Sequence, residues 1–185
     1  MDTIAARGFT LVEMLTVTTL LAIVAAAAIP LLSSNDPQKL NVAAEETANT
    51  LRFALSEARR TGGYVLVDGK TTAGRLQLFY SNSTAQVPPV AGTAVINDPV
   101  TKRAAVLNVN ASAYSQGVAL TPRFKAGGID RTQLLIGPGL SQLQGFDGAG
   151  LNVGALQVNS DVLLSFGSQS TTVSINYLTG LVTSP

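Results

Sequence analysis

Two hydrophobic patterns divide the first third of the chain. From Leu15 to Leu32 it reads LTVTTLLAIVAAAAIPLL, a run without a charge. From Leu40 onward apolar residues recur only every third or fourth position, at Leu40, Ala44, Ala48, Leu51, Leu55 and Ala58. The first run is apolar all round, and as a helix it rises about 27 Å, close to the roughly 30 Å hydrocarbon core of a bilayer. Extension back to Phe9 lengthens the span. Thr16, Thr18 and Thr19 fit such a helix because their hydroxyls bond carbonyls one turn earlier. The second pattern predicts an amphipathic helix with one buried stripe. Between them, SSNDPQKL is a break and a restart: Asn35 or Asp36 caps the new helix and Pro37 occupies its first turn. Arg59, Arg60 and Gly62 then close it. A flexible joint over residues 30–37 would let the two helices stack into one rod.

After Gly63 the periodicity shortens to that of strands. The expected strands are Tyr64–Val67, Leu76–Tyr80, Ala104–Val109, Gly117–Leu120, Gln133–Ile136, Ala155–Val158, Val162–Phe166, Thr171–Asn176 and Leu181–Thr183. The turn signals DGK, GPG, DGAG and YLTG separate them. Residues 83–103 are polar and broken by proline, and read as an exposed loop; residues 139–154 read as another. One helix followed by a run of strands predicts an α+β fold, with the amphipathic helix laid on one face of an antiparallel sheet.

Composition narrows the chemistry. The chain has 185 residues with 12 Lys+Arg against 11 Asp+Glu, so a net charge of +1 gives no global attraction to nucleic acid or anionic lipid. Without the N-terminal segment about 150 residues remain, enough for one core. Cys and His are both absent, which removes thiolate catalysis, disulfides, Ser-His-Asp triads and the usual zinc sites. The acids of the domain are mostly isolated in helix faces or turns, so no convergent acid–base group suggests an enzyme. FDGAGLNVG has an Asp-Gly like a calcium loop but lacks its further acids. GGYVLVDGK lacks the spacing and the Lys-Ser/Thr ending of a phosphate loop. No cofactor or metal is expected.

Glu13 is the anomaly of the apolar run. A charge well inside a bilayer costs about 2.5–3.5 kcal/mol, less near the interface, and such residues usually have a partner. Arg7, six positions back, is at poor helical spacing. A cut between Gly8 and Phe9 would create an α-amino group four residues from Glu13, which in a bundle of related helices neutralises Glu13 of a neighbour. A secretory signal peptide is the rival reading: Leu11–Val24 would be its apolar region, with Ala26 and Ala28 at a cleavage site. Glu13 and the single basic residue Arg7, offset by Asp2, argue against it.

RGFTLVEMLTV resembles the class III leader of type IV pilins and type II secretion pseudopilins: a short leader ending in Gly, then Phe, and a glutamate soon after. The resemblance implies a leader over residues 1–8, cleavage after Gly8 by a prepilin peptidase and N-methylation of Phe9. It further implies a transmembrane helix over residues 9–32, with Glu13 setting assembly register and Pro30 loosening the helix at the membrane exit. Proline simply ending the helix is the plainer reading of Pro30. LRFALSEARRTGGYVLV and TTVSINYLTGLVTSP are similar to the helix-to-strand region and closing hairpin of the GspH/FimT group of minor pseudopilins and minor pilins. Ala54, Ser56, Glu57 and Ala58 keep the core of that pattern.

The organisation expected from the resemblance is a linker and amphipathic helix over residues 33–62 and a periplasmic β-rich domain over residues 63–185. The partners are other pilins or pseudopilins, met through the N-terminal helix. The inner membrane of a Gram-negative bacterium would hold the chain by a single pass before it enters a pilus or pseudopilus. Its work there is assembly or priming of the filament, in type II secretion, a type IV pilus, natural transformation or adhesion. DNA binding is the alternative from another class: Lys102, Arg103, Arg123, Lys125 and Arg131 would form a phosphate-contacting patch, unless they are solvated loop charges. Some FimT-like minor pilins bind DNA through a C-terminal Gly-Arg-x-Arg motif, but here Gly180 is followed by Leu181, Val182 and Thr183, so that contact does not carry over.

Overall fold

The computed structural model describes residues 10–32, 36–69, 74–81, 94–139, 143–146 and 152–185. Two compact units emerge, residues 1–35 and residues 36–185. The first holds α1 (Leu11–Leu32). The expected joint between the helices includes residues 33–35, outside the described residues.

The second unit begins with α2 (Asp36–Thr61). Its buried stripe comprises Leu40, Ala43, Ala44, Thr47, Ala48, Leu51, Ala54, Leu55 and Ala58. Five of these positions are alanine, so the helix axis can approach the strands closely. The helix buries two polar side chains, Thr47 and Glu57, and Thr47 is satisfied by donating to the Ala43 carbonyl at 2.7 Å. Gly62 stops the helix in the left-handed region at φ 65°, a conformation that costs glycine nothing.

Among the described residues eleven strands follow: β1 (Tyr64–Asp68), β2 (Arg75–Ser81), β3 (Val106–Asn108), β4 (Ala119–Ala126), β5 (Ile129–Arg131), β6 (Gln133–Ile136), β7 (Leu143–Phe146), β8 (Asn152–Ala155), β9 (Ser160–Phe166), β10 (Gln169–Ile175) and β11 (Val182–Thr183). They form two antiparallel sheets, ordered β3-β2-β1-β6-β7-β8 and β11-β10-β9-β4-β5. The α+β class is as expected, but the strands divide between two sheets and α2 packs against members of both.

The sheets meet where β4 passes β6, β7 and β8. Two glycines permit this approach. A Cβ on Gly145 would lie 2.4 Å from Ala126 Cβ, and one on Gly69 would lie 2.5 Å from Pro122 Cγ. Pro122 itself stands inside β4, opposite Val162 of β9. On its other side β5 begins pairing only at Phe124, so the missing N–H sacrifices no ladder bond there. That is why β4 runs on past the expected end at Leu120.

The first sheet is buried on both faces at its centre. Val65, Val67, Leu134 and Ile136 join the main core with α2, whereas Leu66, Leu135 and Phe146 form a second cluster on the opposite face. Strand alternation requires the split. Asp68, read as an isolated turn acid, is the last residue of β1 and only 2% exposed. It accepts a hydrogen bond from Gln133 Nε2 at 3.0 Å.

Two segments expected as loops contribute structure. Ile96 is fully buried. Its N–H donates to Leu78 at 3.1 Å, and Tyr80 N–H donates to Ala94 at 2.9 Å, extending the edge of the first sheet. Residues 82–93 of that loop lie outside the described residues. Within residues 139–154 the strands β7 and β8 pair with each other; Asp147, in the segment compared with a calcium loop, and Lys70, in the DGK turn, lie outside the described residues. The strand expected over Ala155–Val158 stops at Ala155, beyond which Leu156 makes an isolated bridge to Ala126.

Candidate functional site

Thr10 caps α1. Its side-chain oxygen accepts the Glu13 N–H at 3.2 Å, and its carbonyl accepts the Met14 N–H at 3.2 Å. Thr10 and Glu13 therefore hold the N-cap and N3 positions of a capping pattern, with the Glu13 carboxylate in the first turn where the helix dipole favours it. Thr16 Oγ1 donates to Glu13 O at 2.9 Å and Thr18 Oγ1 to Met14 O at 3.0 Å. Thr19 Oγ1 bonds Leu15 O in the same way. The hydroxyls are thus satisfied within the helix, as expected for an apolar surrounding.

Every described side chain of α1 is exposed, including Leu11, Leu15, Leu20, Leu21, Ile23 and Val24. Among the described residues no helix is long and apolar enough to cross a membrane; the described side chains of α1 end at residue 25, although its backbone continues to Leu32. Pro30 lies inside that last stretch, so the helix persists beyond it. Gly8 and Phe9 lie outside the described residues.

The basic residues separate into two places. Arg123, Lys125 and Arg131 stand on the β4–β5 hairpin, and two of them are paired: Arg123 Nε with Asp161 Oδ1 at 2.6 Å, and Lys125 Nζ with Asp130 Oδ1 at 3.0 Å. The first is a direct cross-strand pair. Arg131 Nε reaches the Ala126 carbonyl at 3.5 Å. Lys102 and Arg103 belong to a different turn, which Asp98 organises by accepting the N–H groups of Thr101 at 2.6 Å and Val100 at 2.8 Å. The Thr101 N–H, more than that of Val100, holds the Asp98 carboxyl below its usual range. Lys102 sits there at φ 58°.

A polar cluster that periodicity did not predict ties the end of α2 to β2. Glu57, only 6% exposed, accepts from Arg60 Nε at 2.8 Å and Nη2 at 2.6 Å, and from the Tyr80 hydroxyl. The bidentate guanidinium lowers the Glu57 carboxyl against the opposing effect of burial, and Tyr80 lowers it further. The same bond to Glu57, together with burial, raises the Tyr80 hydroxyl. No local signal marked this cluster, since Glu57 lies beside the apolar row of Leu51, Leu55 and Ala58 and its partner Tyr80 stands 23 residues further along the chain.

Residues 5–29 match the family described as the prokaryotic N-terminal methylation motif. This is the class III leader of type IV pilins, and it implies processing by a prepilin peptidase and assembly with other pilins. No curated protein matches the chain. Among solved structures, the type IV minor pilin FimU of Pseudomonas aeruginosa is similar at 13% identity and a TM-score of 0.46, over 79% of this chain and 87% of that one. That likeness is too distant to bear on fold or function.

Proposed function

We propose that the chain is a minor pilin or pseudopilin, a structural subunit made as a precursor and assembled into a type IV pilus or a type II secretion pseudopilus. The observation that carries this reading is the methylation motif over residues 5–29, running into a helix whose described apolar side chains are all exposed. Such a surface is unfavourable in water and finds cover first in lipid, then among other helices. In this reading cleavage falls between Gly8 and Phe9, and residues 9–32 span the inner membrane with Pro30 near the exit. Residues 36–185 lie in the periplasm. The Glu13 carboxylate then meets the methylated amine of Phe9 on a neighbouring subunit, which sets the register of the helix bundle.

The test is Glu13→Ala in the full chain. Incorporation into sheared filaments falls at least tenfold, a loss equivalent to about 1.4 kcal/mol or more in assembly, while the β-rich unit keeps its unfolding transition. Normal incorporation would overturn the reading. A deletion strain then separates the machines: loss of surface pili with secretion intact marks a pilus subunit, and stalled exoproteins with pili intact mark a pseudopilin. DNA binding is not favoured, because Arg123 and Lys125 are already paired with Asp161 and Asp130 and Lys102 and Arg103 sit in a separate turn.

A further inference from the structure

The solvent side of α2 carries three charges at seven-residue spacing, Glu45, Arg52 and Arg59, all exposed. Seven residues are close to two turns, so the three lie along one face about 10.5 Å apart. Arg52 is engaged within its own chain, through Asn49 Oδ1 at 3.1 Å and the Val182 carbonyl at 3.3 Å. Glu45 is held on one oxygen, Oε1, which accepts a hydrogen bond from Ser184 at 2.6 Å, while its Oε2 stands 4.0 Å from Arg52. Arg59 makes no hydrogen bond or ion pair among the described residues. It lines a groove of about 580 Å³ between α2 and residues 179–182. On the lip of that groove Leu181 is 62% exposed.

We propose that this groove receives the Glu45 segment of α2 from a second copy of the chain, with Glu45 of that copy paired to Arg59. The parallel orientation of the two copies rests on the filament reading above, since subunits inserted the same way enter a filament the same way. Charge then selects the register. With no stagger, like charges face each other along the whole row. A stagger of about 10.5 Å sets Arg52 of one copy against Arg59 of the other. A stagger of about 21 Å leaves Glu45 alone opposite Arg59, in the only register of the three without a like-charge pair. The contact joins two different patches, so it does not close on itself and extends as a filament does. It also covers Leu181.

Charge reversal decides the matter. In one chain Glu45 and Arg59 are about 21 Å apart along the helix, far beyond ion-pair reach, so any rescue between them acts between copies. Glu45→Arg alone and Arg59→Glu alone each lower incorporation into sheared filaments at least fivefold. The double reversal restores at least half of it. Arg59→Glu leaves the unfolding midpoint unchanged, and the Glu45→Arg and double variants lose the same Ser184 and Arg52 contacts, so a difference in incorporation between those two does not come from stability. The chain has no cysteine, so a Glu45→Cys copy co-expressed with an Arg59→Cys copy reports the contact directly by an oxidised dimer in membranes and filaments. A Gln38→Cys copy paired with the Arg59→Cys copy is the control. A double reversal no better than the single changes, or a dimer no stronger than the control, overturns the contact even when the wild-type chain is found in filaments. Absence of the wild-type chain from filaments instead overturns the filament reading, and the cysteine pair in membranes still decides the contact.

Discussion

α1 and α2 are of similar length, 22 and 26 residues, yet they spend their apolar residues in opposite ways. α1 places leucine, valine and isoleucine on every side and buries none of those described. α2 has few large apolar residues and confines them, with its alanines, to one stripe that is almost wholly buried. Total hydrophobicity therefore does not say which segment builds the core of the β-rich unit. The angular arrangement does, because only a stripe can be covered by sheets on one side while the other side stays in water. A helix that is apolar all round demands cover on all sides, more than the face of one sheet can offer.

The contrast is sharpest at single leucines. Leu51, fully buried under α2, becomes Ala at a cost of about 3 kcal/mol to the unfolding of residues 36–185. Leu20→Ala in α1 leaves that transition where it was. Denaturant midpoints of the detergent-solubilised chain measure both, and equal shifts would break the distinction between the helices.

A smaller effect tests the sheet contact that α2 spans. Gly145→Ala forces a methyl into the 2.4 Å gap to Ala126 Cβ and costs about 1–3 kcal/mol. An unchanged midpoint would mean that the two sheets separate there without penalty.

The smallest effect concerns the polar end of α2. Glu57→Gln loses charge-assisted hydrogen bonds to a largely exposed arginine and to Tyr80, and costs about 1–2 kcal/mol at neutral pH. Its pH dependence has a definite sign. Glu57 is held below its ordinary value of 4.5, so its stabilisation is complete above that value and is lost as pH falls through the lower folded value. Tyr80 is held above its ordinary value of 10.0, so its stabilisation is complete below that value and is lost as pH rises through the higher folded value. Stability scanned against pH should therefore lose part of its acid limb in Glu57→Gln and part of its alkaline limb in Tyr80→Phe. An acid limb identical to wild type in Glu57→Gln would remove Glu57 from this role.

The two helices were legible because their signals are local: a charge-free run, a stripe at helical spacing, a proline restart and a glycine stop. The strands β1, β2, β6, β9 and β10 were legible for the same reason, through short apolar runs between turn residues. β7 was not, because its Gly145 weakens the strand pattern and is there only to admit Ala126 from another strand. Residues 94–97 were hidden in a proline-rich segment, and Ile96 is buried only because β2 offers an unpaired edge. The pairing of Arg123 with Asp161 joins positions far apart in the chain, which made both look like free surface charges.

What the sequence determined by itself is whatever neighbouring residues decide: the α+β class, the leader motif with Glu13 four residues beyond Phe9, and the division between an all-round apolar helix and a striped one. Tertiary structure decided what depends on residues distant in the chain. It divided the strands between two sheets, buried Leu66 and Leu135 on the face opposite α2, and closed Glu57 with Tyr80. It also placed Arg59 beside the C-terminal hairpin, forming a groove that no local pattern contains. Local periodicity reports how one element must face its surroundings; which surroundings it meets is set by packing the whole chain at once.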